Sequence, residues 1–349
     1  MARTPARGAD AQLIADLADL GLTVTQAQLE RWRAEDYLPR RPPGRPSSTA
    51  THPANTLRLA AWLAVASHQG RSLGAVAWCF WAQQPTARAV SRLRSATLDA
   101  LDRYGRRLGV SPGPAAAPPA DADTAWQTRT TATHQLVRSV RPGPDLHTLL
   151  TTSLHDAGEP LDERPGTLPN VNHRQVLQAT ARLLAGGADD ITADEYFDAL
   201  RASWPQMEDA LDTLQSVHRQ HELDGQDLWA QSPLAGGWPT IREALAAADA
   251  ATLCRAVELN SATSAALHLV VTAGQTPYGE PLPTHARTRA MADPMWEQWG
   301  RHTPLPDYGS TWQSFVAFQS ALSMIVPGRT EELARYRTLL EQQIQAADS

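Results

Sequence analysis

The chain has 349 residues, 42% of them hydrophobic, and a formal net charge of −6; this length gives two or three domains as a prior and ample room for a core. Every basic residue is an arginine, since lysine does not occur, which excludes the lysine-dependent phosphate loop, Schiff-base chemistry and lysine-activated serine enzymes. No apolar run reaches the roughly 18 residues of a membrane span, the opening stretch lacks the apolar centre of a secretory signal, and Cys79 and Cys254 form no disulfide framework, so a cytoplasmic chain with free thiols and no membrane partner is expected.

Residues 11–20 place Leu13, Ile14, Leu17 and Leu20 three and four apart, which predicts a helix. A second helix is predicted over 25–37. Thr25 with Gln28 three residues on makes a capping box, and Val24 can staple onto Leu29. Leu29 and Trp32 then face the first helix, leaving Gln26, Ala27, Glu30 and Arg31 outward near the N-terminal end. In a helix-turn-helix that end of the second helix meets base edges in the major groove, where Gln pairs with adenine and Arg with guanine. The helix stops at Tyr37, Leu38 and Pro39. Arg40, Arg41 and Arg45 follow on a loop stiffened by Pro and Gly, suited to a wing on phosphates or in the minor groove. Thr25, Gln26, Gln28, Arg31, Arg33, Arg40, Arg41 and Arg45 are the candidate DNA-contacting residues. Further helices are predicted over 55–68, over 72–83, and over 85–108, where Val90, Leu93, Leu101 and Leu108 form an apolar stripe beside six arginines.

Residues 28–39, QLERWRAEDYLP, with the arginine loop after them, resemble the recognition helix and wing of the MerR family of regulators. Residues 59–66 and 70–76 are similar to the family's continuation, and the resemblance runs from residue 10 to about 83. It implies a winged helix-turn-helix acting as a homodimer on inverted repeats in double-stranded DNA. It also sets residues 85–108 where the family has its antiparallel dimerisation helix; packing within its own domain is the alternative for that helix. A second candidate interface is the last helix, with Leu333, Tyr336, Leu340 and Ile344. Four features depart from the family pattern: Glu30 stands in place of an arginine, Asp36 in place of the glycine before the wing, the turn before the recognition helix is about two residues longer, and the wing lacks a Tyr-Arg pair. Asp is among the few residues that tolerate the left-handed backbone such a glycine adopts.

Residues 109–123, rich in Pro and Ala, read as a linker. The expected plan is a winged helix-turn-helix over 1–84, a connecting or dimerisation helix over 85–108, the linker, and an all-α domain over 124–349. Charge changes sign along the chain. Residues 1–110 carry 15 Arg and 8 acids, a net of +7, and the remainder 16 Arg and 29 acids, a net of −13. A basic N-terminal part suits a polyanion. Beyond the linker, helices are predicted over 192–203, opened by a Thr192–Glu195 capping box, over 205–221, over 238–273 as one helix or two, over 310–326 and over 329–345, with one short helix near 291–299. No alternating strand pattern occurs, so the class is mainly α.

The C-terminal part holds no serine-nucleophile, dinucleotide, zinc-protease or calcium-loop motif. His218 and His221 could share a metal, but they fall on one stripe with Met207, Leu211 and Leu214 and read as a core edge. Asp189 and Asp190 read as a charged approach to the Thr192 cap, and His155–Asp156 shows no partner. Eleven Trp stand against four Phe; most read as core, with Trp296 and Trp299 the candidates for a pocket or interface. The expectation is a transcriptional regulator without catalytic residues, metal or cofactor. Its C-terminal domain would serve a small-molecule or protein effector or oligomer contacts. An accessory or architectural DNA-binding protein of a phage, plasmid or defence system is the alternative, and a DNA-tethered enzyme a third.

Overall fold

The computed structural model describes residues 8–40, 52–53, 55–68, 73–84, 86–107, 110, 174–203, 207–268 and 309–345, with scattered positions between 121 and 158. The fold is mainly helical, and no strand occurs among the described residues. In chain order the helices are α1 (Ala9–Asp19), α2 (Gln26–Ala34), α3 (Thr56–His68), α4 (Leu73–Ala82), α5 (Ala87–Arg107), α6 (Arg174–Gly186), α7 (Ala193–Ser203), α8 (Glu208–Leu223), α9 (Gly237–Ala247), α10 (Ala250–His268), α11 (Ser310–Ile325) and α12 (Arg329–Gln345). The expected wing over 40–45 lies outside the described residues apart from Arg40; so do Trp296, Trp299 and the short helix near 291–299. No described helix is long and apolar enough to cross a membrane.

The first two helices end in the same way. Leu13 and Leu17 bury the inner face of α1, and Gly21, at φ 74°, takes the left-handed position after it. The Leu22 N–H then reaches the Leu17 carbonyl (2.8 Å) and the Gly21 N–H that of Ala18 (2.9 Å). These paired bonds are a Schellman stop, which satisfies carbonyls the helix itself cannot. After α2 the left-handed residue is Asp36, at φ 59°. The Tyr37 N–H bonds to Trp32 (2.8 Å) and the Asp36 N–H to Arg33 (3.1 Å), so an aspartate does the work of the glycine expected before a wing.

Helices α4 and α5 tie this N-terminal pair to the rest of the chain. In α4, five consecutive residues, Val76, Ala77, Trp78, Cys79 and Phe80, are buried, because α3, α5 and α10 enclose it on different sides. Desolvation there pushes the Cys79 thiol up to about 12. Along α5, Ala89, Leu93, Thr97, Ala100 and Leu101 are buried, and the helix packs on α11 and α9. Ser314 on α11 donates to the Ala100 carbonyl (3.1 Å). Gly105 admits the indole of Trp238: a Cβ at this position would stand 2.5 Å from the ring. Trp238 in turn stacks on Phe318, with centroids 6.1 Å apart and planes within 7°. Arg94 donates to the carbonyls of Leu245, Ala246 and Ala248 (3.2, 2.8 and 2.6 Å), capping the C-terminal end of α9 as cations do. One apolar core thus runs from Leu13 through α4 and α5 to Ala321.

That core decides what faces inward. Of the apolar stripe of 85–108, open to either a dimer seam or internal packing, Leu93 and Leu101 are buried within their own chain and Val90 is partly buried, while Leu108 lies outside the described residues. The last helix likewise buries Leu333 and Tyr336 where α12 meets α10 and α11. By contrast α8 rests chiefly on α7. Only Leu211, Gln215 and His218 of α8 are buried, while Met207, Leu214, Val217 and Leu223 are exposed. The stripe read as a core edge is therefore split, because one neighbouring helix covers a narrower face than the apolar pattern spans.

Candidate nucleic-acid interface

Helix α2 starts on Thr25, whose backbone is extended at φ −101°, ψ 156°. Its hydroxyl accepts the Gln28 N–H (3.3 Å), while Gln28 Oε1 accepts from the Thr25 N–H (2.8 Å) and hydroxyl (2.9 Å). Two of the candidate contact residues are thereby engaged in the capping box. Leu29 and Trp32 are fully buried. Arg33 is turned inward as well, at 8% exposure. It donates through Nη2 to Asp10 Oδ1 (2.8 Å) and through Nη1 to Oδ2 (3.2 Å), a two-pronged pair that makes a buried charge tolerable. His52 stands alongside, its Nε2 3.7 Å from Asp10 Oδ1. Arg33, expected among the DNA-contacting residues, instead anchors α2 to α1. Its spacing from Leu29 and Trp32 puts it on the inner stripe, and Asp10 supplies the partner that allows it to stay there.

The outer face is short and polar. Gln26 donates to Glu30 Oε1 (3.0 Å), a pairing one turn apart, and Ala27, Glu30 and Arg31 are exposed. This face offers guanidinium and amide donors beside a carboxylate, groups that read base edges. Arg40 is 66% exposed, with Nη2 3.4 Å from Asp36 Oδ1. Arg41 and Arg45 lie outside the described residues.

The other end of α2 is held by residues that the sequence pattern left among the arginines of the fifth helix. The Glu35 carbonyl accepts from the Trp81 indole (3.0 Å) and from Arg92 Nη1 (3.2 Å). Arg92 also reaches the Glu35 carboxylate (3.3 Å), and its guanidinium lies 5.8 Å from the Trp81 ring centroid, within cation–π range. Asp36, only 3% exposed, has Arg88 Nε at 3.2 Å and Arg92 Nη1 at 3.6 Å from Oδ2. Tyr37 packs its ring on Phe80 and Trp81 (centroids 5.9 and 6.3 Å). Burial raises its phenol pKa, Glu35 raises it further, and Arg92 and Arg31 pull the other way. The signal in the sequence was Arg88 and Arg92 four apart at the start of a helix, one face of which had to meet something.

His218 packs edge-on to Phe197, and His221 pairs its Nδ1 with Gln226 (2.9 Å). No group of three metal-binding side chains occurs among the described residues. The Thr192–Glu195 box is formed, with the Thr192 N–H donating to Glu195 Oε2 (2.9 Å). This bond holds the Glu195 carboxyl below its ordinary value, against a smaller effect of burial, with Arg182 adding to it. Compared with known proteins, the chain matches no family model, no curated protein and no solved structure.

Proposed function

We propose that the chain is a sequence-specific, double-stranded DNA-binding regulator of transcription, with an N-terminal unit of the MerR type acting as a homodimer. What carries this reading is the treatment of α2. It is a helix of nine residues, shorter than one that holds in isolation, yet both its ends are satisfied and its inner face is pinned by Trp32 and the Arg33–Asp10 pair. Such support fixes the orientation of the small outer face formed by Gln26, Ala27, Glu30 and Arg31. A preorganised polar helix face of this kind suits the major groove, with Arg40 and the arginines after it along the backbone. In this reading α1, α4 and α5 form a mount for α2, the helices beyond the linker form a body that meets an effector or partner, and no step calls for a catalytic group or cofactor.

Genome-wide mapping of DNA bound by the full chain tests the proposal. Discrete sites upstream of genes, built from inverted half-sites about one helical turn apart, are the expected outcome. Clustering at a single replication or recombination locus would favour an accessory role in its place, and the absence of discrete sites would overturn the regulator reading.

A further inference from the structure

A group of arginines lies beside α2 rather than on its outer face. Around the paired acids Glu35 and Asp36 stand Arg40, Arg88 and Arg92, with Arg31 close enough to act on the neighbouring Tyr37. Positive charge remains in excess there even when Glu30, one turn back, is counted. Asp36 is buried and its arginines are not: Arg40 is 66% exposed, Arg88 51% and Arg92 31%. The carboxylate therefore sits beneath the guanidiniums and gathers them at the surface. Their contacts leave donors unused. Asp36 Oδ2 accepts no aligned hydrogen bond, although Arg88 Nε is 3.2 Å from it, so Arg88 is held by charge and not by a fixed fork. Guanidiniums held this way can turn outward to a second anion, and phosphate oxygens are the anions they fit best.

Resting on the DNA-binding reading above, we propose that Arg88 and Arg92, together with Arg40, form a clamp for the phosphate backbone of duplex DNA. In this clamp Asp36 is the positioning residue that gathers the three side chains. The clamp lies at the C-terminal end of α2, away from Gln26 and Ala27, so it fixes the depth and angle of the helix and carries no sequence information. It also brings α5, and through it the core shared with α9 and α11, to the DNA surface.

The test is a titration of the full chain with a mixed-sequence duplex a few helical turns long, followed by fluorescence anisotropy over a series of salt concentrations. Arg88→Gln and Arg92→Gln should each lower the slope of log affinity against log salt by about one, and should weaken all duplexes alike. Arg106→Gln, at the exposed far end of α5, should leave the slope unchanged. Arg92 also bonds the Glu35 carbonyl, so its variant can lose stability. Arg88 makes no such bond, and its variant decides the matter if thermal melting of the two differs. An unchanged slope for Arg88→Gln in a chain that binds duplex overturns the clamp and leaves the α2 reading intact. Absence of duplex binding by the unmodified chain overturns both.

Discussion

Helices α2 and α8 show opposite ways of using a helix. The first is short and strongly polar, yet it is fastened at each end and along its inner face. The second has sixteen residues and a longer apolar stripe, yet it rests chiefly on α7 and leaves Leu214 55% and Leu223 82% exposed. The difference teaches that positional precision comes from what grips the ends of a helix, not from its length or apolar content. For α2 the grip consists of a capping box, a Schellman stop with Asp36 at its left-handed position, the Trp81 and Arg92 donors on the Glu35 carbonyl, and a buried ion pair. Nothing comparable surrounds the outer face of α8.

The largest way to break this contrast is to remove the buried anchor. Arg33→Ala or Asp10→Ala should lower stability by about 3–5 kcal/mol in denaturant unfolding, because the partner is left as an uncompensated buried charge. The double variant should lose less than the sum of the two single losses. If Arg33→Ala costs as little as a surface change, the anchoring role is wrong. Next in size is the N-terminal grip. Thr25→Ala should cost about 1 kcal/mol, and amide hydrogen exchange should quicken in α2 before it does in α4.

Acid acts on the other helix pair. Gln215 holds the Asp194 carboxyl low, assisted by Arg219, and the Thr192 amide does the same for Glu195. Carboxyls depressed in the folded chain take up protons more readily when it unfolds. Their stabilisation is therefore present above the ordinary values of 3.8 and 4.5 and fades as pH falls through the lower folded ones. Hydrogen exchange measured at descending pH should thus open α7 and α8 first, and Glu195→Gln should blunt that trend. Exchange that quickens uniformly along the chain would remove the distinction. The smallest expected effect is Leu214→Ser, which should alter stability by no more than about 0.5 kcal/mol; a larger loss would mean that this face is covered.

Much of α2 was legible in the sequence because its determinants are local. Thr25 and Gln28 three apart, Val24 before them, Leu29 and Trp32 at helical spacing, and Asp36 where a left-handed residue is needed all lie within a dozen or so neighbours. Arg33 was misread because its partner, Asp10, is distant in sequence and spacing alone cannot weigh a charge against its burial. The helical class followed from periodicity. What periodicity could not convey is that α4 and α5 share a core with α9, α10 and α11, contacts that bridge the proline-rich stretch. The same limit applied to α8: a stripe of apolar residues records what could be buried, and the neighbours decide how much is.

The central claim is that the outer face of α2 reads DNA sequence. Its most direct test is to select a preferred duplex from a random pool with the full chain, then measure the affinity of Arg31→Ala for that duplex and for a scrambled one. The account predicts a loss of about 1–3 kcal/mol on the preferred duplex and little change on the scrambled one, so that preference relaxes. Equal losses on both duplexes, or no loss on either, would contradict it.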